Sequence, residues 1–290
     1  MDTTVTVEAV ADDLSGSEEA VARAFDWFAE VEARCSRFDP TSEVRRLAEH
    51  PGEPVVVSPL LAGALQLALS VAEASGGAFD PTVGRAMERR GFDRNYRTGE
   101  HTPSAMPEAA VSWRDVRVQM RRGTVTLRKP LLLDLGGLAK GLAIDLALRE
   151  LAGFAGAAVE AGGDIAVLGT NARGEPWRIG IRHPREPGAV CACLEMTTGA
   201  VCGSGDYERR SRGGGHHVDP SSGQPLDVVA SCSVVAPTAV LADALSTAAT
   251  VLGPVRGVAW LQEQGVEGLI ITPDLRRWAT PGWGTLEVCP

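Results

Sequence analysis

A chain of 290 residues with 44% apolar content can bury a substantial core, as one large domain or two small ones. A net charge of -9 and an isoelectric point near 5.2 exclude the clustered lysine and arginine surface that holds nucleic acid or anionic membrane. No apolar run reaches the roughly 18 residues of a membrane span, and the start, MDTTVTVEAVADDLSGSEEA, has neither a basic leader nor an apolar h-region, so the chain reads as cytoplasmic.

In chain order, Ser15 with Glu18 forms a capping-box pattern that opens a helix carrying Val21, Phe25, Phe28 and Val31 on one stripe. Ser58 and Pro59 begin a second helix through LLAGALQLALSVAEAS, stopped by Gly76 and Gly77. The loop 92 to 110 is the best boundary candidate in what otherwise reads as a single domain over 1 to 290. VRVQMRRGTVTL alternates on both sides of Arg121, Arg122 and Gly123, as a hairpin does, and WRIGI alternates likewise. The run LLLD, 131 to 134, reads as a strand that turns through two glycines into a third helix. A fourth helix follows Pro237, and EGLIITP with a hairpin through Asp274 closes the chain. Strands in hairpin groups, with helices between the groups, predict an α+β fold and not a doubly wound parallel sheet.

Six cysteines fall at no framework spacing, which fits a reducing compartment. Cys191 and Cys193 share a face if they lie on a strand. With no second pair nearby to complete a tetrahedral site, they read as small apolar core residues.

Four stretches could carry chemistry. Around Asp134, Gly136, Gly137, Lys140 and Gly141, the glycines permit close backbone approach, and the following helix would aim amide groups and its positive dipole end at an anion such as phosphate. A tight turn with a solvated lysine explains the same residues equally well. In EAGGDIAVLG, 160 to 169, Gly162 and Gly163 inside an apolar strand mark a bulge or a close approach. GSGDYERRSRGGGHHVDPSSGQPL, 203 to 226, is a glycine-rich loop of the kind that is costly to order and commonly functional; His217 in it is a candidate proton acceptor, and His216 reads as structural or solvated. On the helix after Pro237, Val240, Leu241, Leu245, Ala248, Val251 and Leu252 make an apolar face, while Asp243, Thr247 and Thr250 fall three and four apart on another. Asp243 and Thr247 side by side make a hard-oxygen half-site for Mg²⁺, or else belong to an ordinary polar stripe.

Taken together, SRFDPTSEVRRL (36 to 47), SGGAFDPTVG (75 to 84), DLGGLAKG (134 to 141), AGGDI (161 to 165), SGDYERR (204 to 210), HHVDPSSGQP (216 to 225) and ADALSTAATVLG (242 to 253) resemble, in order and over nearly the whole chain, the ApbE family of FAD:protein FMN transferases. The resemblance implies an ApbE-like (T-fold-like) α+β fold, with mixed sheets and helices packed between hairpin groups. It implies a magnesium-dependent enzyme that splits FAD and leaves FMN on a Ser or Thr hydroxyl of an acceptor redox protein, releasing AMP. On that resemblance, Asp134 and Lys140 contact FAD, Phe38 lies against flavin or adenine, and Ala78, Phe79 and Asp80 line the same substrate. Ser204 and Asp206 fall in a further FAD-binding motif, and the Gly137 carbonyl with Asp243 and Thr247 forms the Mg²⁺ set. His217 matches the family's H-x-D-P histidine, the base for the acceptor hydroxyl.

The sequence departs from the family pattern at Gly203, Ala48 and Glu160, where threonine, asparagine and asparagine are usual, and Met1-Asp2-Thr3 is a degenerate start. Many relatives are exported lipoproteins, whereas this chain has no lipobox cysteine. Two other readings keep part of the picture: hydrolysis of FAD to FMN and AMP with water as the acceptor, and a flavin-binding protein without turnover.

Overall fold

The computed structural model describes residues 3–11, 16–95, 98–102, 110–207, 210–211, 214–215 and 218–288. The elements run, in order, β1 (Val5–Val10), α1 (Ser17–Cys35), α2 (Glu43–Ala48), β2 (Pro54–Val56), α3 (Pro59–Ala74), α4 (Gly84–Arg89), β3 (Val116–Gln119) and β4 (Thr124–Leu127). Then come α5 (Ala139–Glu150), β5 (Gly156–Ala161), β6 (Asp164–Gly169), β7 (Trp177–Arg182), β8 (Val190–Met196), β9 (Thr198–Gly205), β10 (Arg210–Ser211) and β11 (Gly214–Gly215). The chain closes with β12 (Ser231–Ala236), α6 (Ala239–Glu263), β13 (Glu267–Ile271), β14 (Arg277–Ala279), α7 (Trp283–Leu286) and β15 (Glu287–Val288).

The largest sheet has the order β1-β5-β6-β9-β12-β13-β14, beside smaller sheets β15-β8-β7, β2-β4-β3 and β10-β11. Every strand pairing among the described residues is antiparallel, although in the large sheet only β5-β6 and β13-β14 are joined by hairpins and β12 reaches β13 through α6. Both faces of the large sheet are covered. Ala157, Val159, Ala200, Cys202, Cys232, Val234 and Ile270 join a core with α1, α3, α5 and α6, and Ala158, Val167, Val201, Leu269 and Ile271 pack against Trp177, Ile179, Leu194 and Trp283 from the small sheet and α7. A strand covered on both faces shows no alternation of burial, which is why β5 and β12 are buried at every position but Glu160 and Val235.

The α+β class, the second, third and fourth helices, the 116–127 hairpin and the closing hairpin lie where the sequence placed them. Ser58 caps α3 by accepting from the Leu61 N–H (3.2 Å), with Pro59 in the first turn.

Other expectations are corrected. Ser15 lies outside the described residues, and α1 instead follows Gly16. Its buried stripe is Ala20, Ala24, Phe28, Val31 and Cys35, which leaves Phe25 exposed, because that spacing of 4, 4, 3 and 4 tracks one helical face more closely than one through 21 and 25. Residues 131–135 are extended but join no sheet: they bond to the neighbouring loop through Asp134 N–H to Pro81 O and Gly84 N–H to Leu132 O. Gly162 and Gly163 are not inside a strand. At φ 60° and 96° they form the two-residue turn between β5 and β6, the left-handed backbone such hairpins need. On β8 the core side belongs to Ala192, Leu194 and Met196, so Cys191 and Cys193 are half-buried and not core residues.

The apolar face expected on α6 is also too narrow. Asp243, Ser246 and Thr250 are buried with the alanines, because the part of α6 before Gly253 packs between α5 and the sheet and exposes no residue, and a helical segment so covered has no solvent stripe. Thr250 donates to the Ser246 carbonyl (2.8 Å) and takes no part in a polar face. At Gly253 (φ 77°, ψ 176°) the helical backbone breaks and Pro254 restarts it.

Candidate active site

The site is built where α5 and α6 meet. A Cβ at Gly141 would stand 2.3 Å from the Ala239 carbonyl oxygen, so only glycine permits this approach. The Gly141 N–H donates to Asp243 Oδ2 (3.1 Å). One turn further along α5, the Asp145 carboxylate accepts from the Ala239 N–H (2.7 Å) and the Val240 N–H (2.9 Å), the first amides of a helix whose own N-cap, Thr238, makes no side-chain cap bond. Burial raises the Asp145 carboxyl above its ordinary pKa despite those two bonds. The bonds fix Asp243, which is 3% exposed.

The turn before α5 packs against the same helix. A Cβ at Gly137 would lie 2.9 Å from Thr247 Oγ1 and 3.2 Å from the Phe79 ring. Thr247 Oγ1 has no hydrogen-bond partner among the described residues. Lys140 pairs with Asp164, whose Oδ1 also accepts from the Gly203 N–H (2.8 Å), and the Lys140 ammonium lies 4.0 Å from Asp243 Oδ1. Ser204 Oγ bonds to Ser246 Oγ (2.9 Å), which donates to the Asp243 carbonyl (2.9 Å). The α5 N-terminus is therefore not wholly open to an outside anion: a protein carboxylate takes its Gly141 amide.

The other wall is Arg37, Phe38, Ala78, Phe79, Asp80 and Asp134. Asp134 Oδ2 accepts from Arg37 Nε (2.6 Å) and Oδ1 from the Gly136 N–H (2.8 Å). The Arg37 guanidinium lies 4.0 Å above the Phe38 ring. Asp80 Oδ1 accepts from the Thr82 N–H (2.8 Å) and hydroxyl (2.7 Å), and Oδ2 from the Trp113 N–H (3.1 Å). Burial lifts its carboxyl above the ordinary value against those bonds. Asp80 thus shapes the turn that presents Phe79.

These residues enclose one cleft that also includes Lys140, Gly203, Ser204, Val218, Asp243 and Thr247. Phe38, Ala78, Phe79, Asp80, Asp134, Gly137, Lys140, Ser204, Asp243 and Thr247 all line it. Asp206 does not: at the end of β9 it forms a two-pronged pair with Arg185 (2.7 and 2.8 Å). His217 and His216 lie outside the described residues, next to Val218, which lines the cleft. No cluster of three or more His, Cys, Asp or Glu residues able to hold a metal occurs among the described residues. The Asp243, Thr247 and Gly137 set has one carboxylate, a hydroxyl and a backbone carbonyl.

Sequence reasoning missed Arg37, Asp145 and the partnership of Asp164 with Lys140. The only signals were a basic residue beside the aromatic in SRFD, an acid inside an otherwise apolar helix, and an acid after a glycine pair; each partner is more than 20 residues distant.

An antiparallel sheet covered on one face by α1, α3, α5 and α6 and on the other by a small sheet and α7 is an α+β fold, and the ApbE flavin transferases share it. Superposition on the ApbE protein of Thermotoga maritima gives a TM-score of 0.84 at 31% identity, over 99% of this chain and 96% of that one. The flavinyl transferase ApbE of Pseudomonas stutzeri gives 0.82 at 25% identity, over 99% and 95%. The ApbE family model matches residues 1–270. The chain belongs to the ApbE family. It is 37% identical to an FAD:protein FMN transferase of Treponema pallidum, over 81% of this chain and 72% of that protein. An FAD:protein FMN transferase of Rhodobacter capsulatus is 36% identical over 79% of this chain, which spans about half (46%) of that protein's length.

Proposed function

We propose that this chain is a transferase that moves FMN from FAD to a Ser or Thr hydroxyl of an acceptor protein, releasing AMP, with Mg²⁺ at the α5–α6 crossing. The observation that carries the reading is the charge of the cleft. Among the described residues, Arg37 and Lys140 face three carboxylates, Asp80, Asp134 and Asp243, and Lys140 is also bound to Asp164. A dinucleotide's two negative phosphates would meet a wall already short of positive charge, so a divalent cation is needed to seat them.

What supports Mg²⁺ is the donor set. Asp243 and Thr247, whose hydroxyl has no partner among the described residues, lie one turn apart on α6, and the Gly137 backbone approaches where any side chain would intrude. A hard cation takes one or two such oxygens and leaves its other positions to water and phosphate. When bound, the ion would offset charge on the transferring phosphoryl group and on the departing phosphate.

The protein's own groups do the rest. Phe38 and Phe79 supply aromatic surface for the rings of the dinucleotide. The acceptor oxygen forms a bond to the FMN-side phosphorus, the bridging P–O bond breaks, and AMP leaves with the electron pair. The hydroxyl proton passes to a base, the role the family motif assigns to His217.

Incubating the chain with FAD, Mg²⁺ and a candidate acceptor tests this. Covalent flavin on the acceptor supports it. Free FMN and AMP without labelled acceptor would make the chain an FAD hydrolase, and intact bound FAD would make it a binding protein.

A further inference from the structure

We infer that Arg37 is a phosphate-binding residue of the cleft, and that Asp134 acts mainly by holding it. Arg37 is 5% exposed and lines the cleft. A guanidinium that deep is costly unless its charge and its five donors are answered. Only Nε is answered, by Asp134 Oδ2 at 2.6 Å; the two terminal nitrogens have no protein partner among the described residues. Stacking on Phe38 at 4.0 Å fixes the plane of the fork, and Asp134 is itself fixed by the Gly136 N–H.

An arginine anchored through Nε and stacked on one face keeps its terminal N–H groups in the planar arrangement that matches two oxygens of a phosphate. Lys140 cannot serve equally, because Asp164 already holds it. The inference rests on the dinucleotide reading of the cleft and adds one claim: the Arg37 side of the cleft receives a phosphate.

The test is equilibrium binding of FAD, ADP and riboflavin to the full chain in magnesium buffer, for the unsubstituted protein, Arg37→Gln and Arg37→Lys. ADP carries the diphosphate without flavin; riboflavin carries flavin without phosphate. Loss of a charge-assisted bond should weaken FAD and ADP by roughly 10- to 100-fold in Arg37→Gln, with riboflavin unchanged. Arg37→Lys, which keeps the charge and can still pair with Asp134, should fall between. Unchanged ADP binding in Arg37→Gln, or equal loss of all three ligands in both variants, overturns the inference. If ADP binding depends on Arg37 but no FMN transfer is seen, the inference stands and the transferase reading falls. FMN transfer with ADP binding indifferent to Arg37 sinks the inference alone.

Discussion

Two glycine pairs flanked by an acid, Asp134 to Gly137 and Gly162 to Asp164, look alike in sequence and exist for different reasons. Neither Gly136 nor Gly137 has a positive φ; at Gly137 the missing side chain admits Thr247 and Phe79 to the backbone. Gly162 and Gly163 have φ of 60° and 96°, and a Cβ at Gly163 would meet nothing nearer than Arg182 at 3.9 Å. The first pair makes room; the second makes a turn, and at Gly162 it also makes room, because a Cβ there would fall against the Thr3 side chain. They converge through Lys140, which begins α5 beyond the first pair and binds the acid that ends the second. Glycine inside a motif is therefore evidence of a ligand only when space, and not backbone angle, demands it.

The largest expected effect lies at the space-making side. Asp243→Asn keeps an acceptor for the Gly141 N–H and removes the charge, so FMN transfer should fall by about 10⁴-fold or more, to the level left by EDTA, with the fold retained by circular dichroism. Full activity in that variant would break the comparison, since the first turn would then face no metal. His217→Ala should cost less, about 10²- to 10⁴-fold, with the residual rate rising with pH as the acceptor hydroxyl ionises unaided. Losses of equal size and equal metal dependence in the two variants would undo the division of roles.

The glycines themselves give the sharpest contrast. In Gly137→Ala, the added Cβ would press on Thr247 Oγ1 (2.9 Å) and Cγ2 (3.2 Å) and on the Phe79 ring (3.2 Å), so the larger effect should be on transfer, a drop of about 10²-fold from the misplaced hydroxyl, and the smaller on thermal unfolding. Gly163→Ala should do the reverse, losing about 1–2 kcal/mol of stability to a left-handed φ with transfer retained when assayed well below the melting temperature. If both variants lose only stability, the first turn is structural after all.

The smallest effect lies far from either pair. Burial would raise the Glu43 carboxyl, but bonds from the Ser58 N–H and from Arg34 hold it below the ordinary value. Its contribution to stability is therefore present above the unfolded pKa of about 4.3 and is lost as pH falls through the lower folded value. Glu43→Gln should cost less than about 1 kcal/mol at neutral pH and nothing once the acid limb is passed, measured by denaturant unfolding at several pH values.

Features that depend on near neighbours were legible in the residues alone. Ser58 and Pro59 start a helix, Arg121 to Gly123 turn a hairpin, and the i, i+4 spacing puts Asp243 beside Thr247, because caps, turns and helical periods are properties of a few consecutive residues. The residues also placed most of the cleft wall, since short motifs in order survive without knowledge of their contacts. It took the packing of distant elements to show that Arg37 grips Asp134, 97 positions away, that Asp145 caps α6, that Lys140 holds Asp164, and that Asp243 lies in a buried seam and not on a solvent stripe. The physical reason is that burial and partnership belong to elements that pack against one another, and a polar residue in a local pattern looks the same whether water or another helix covers it.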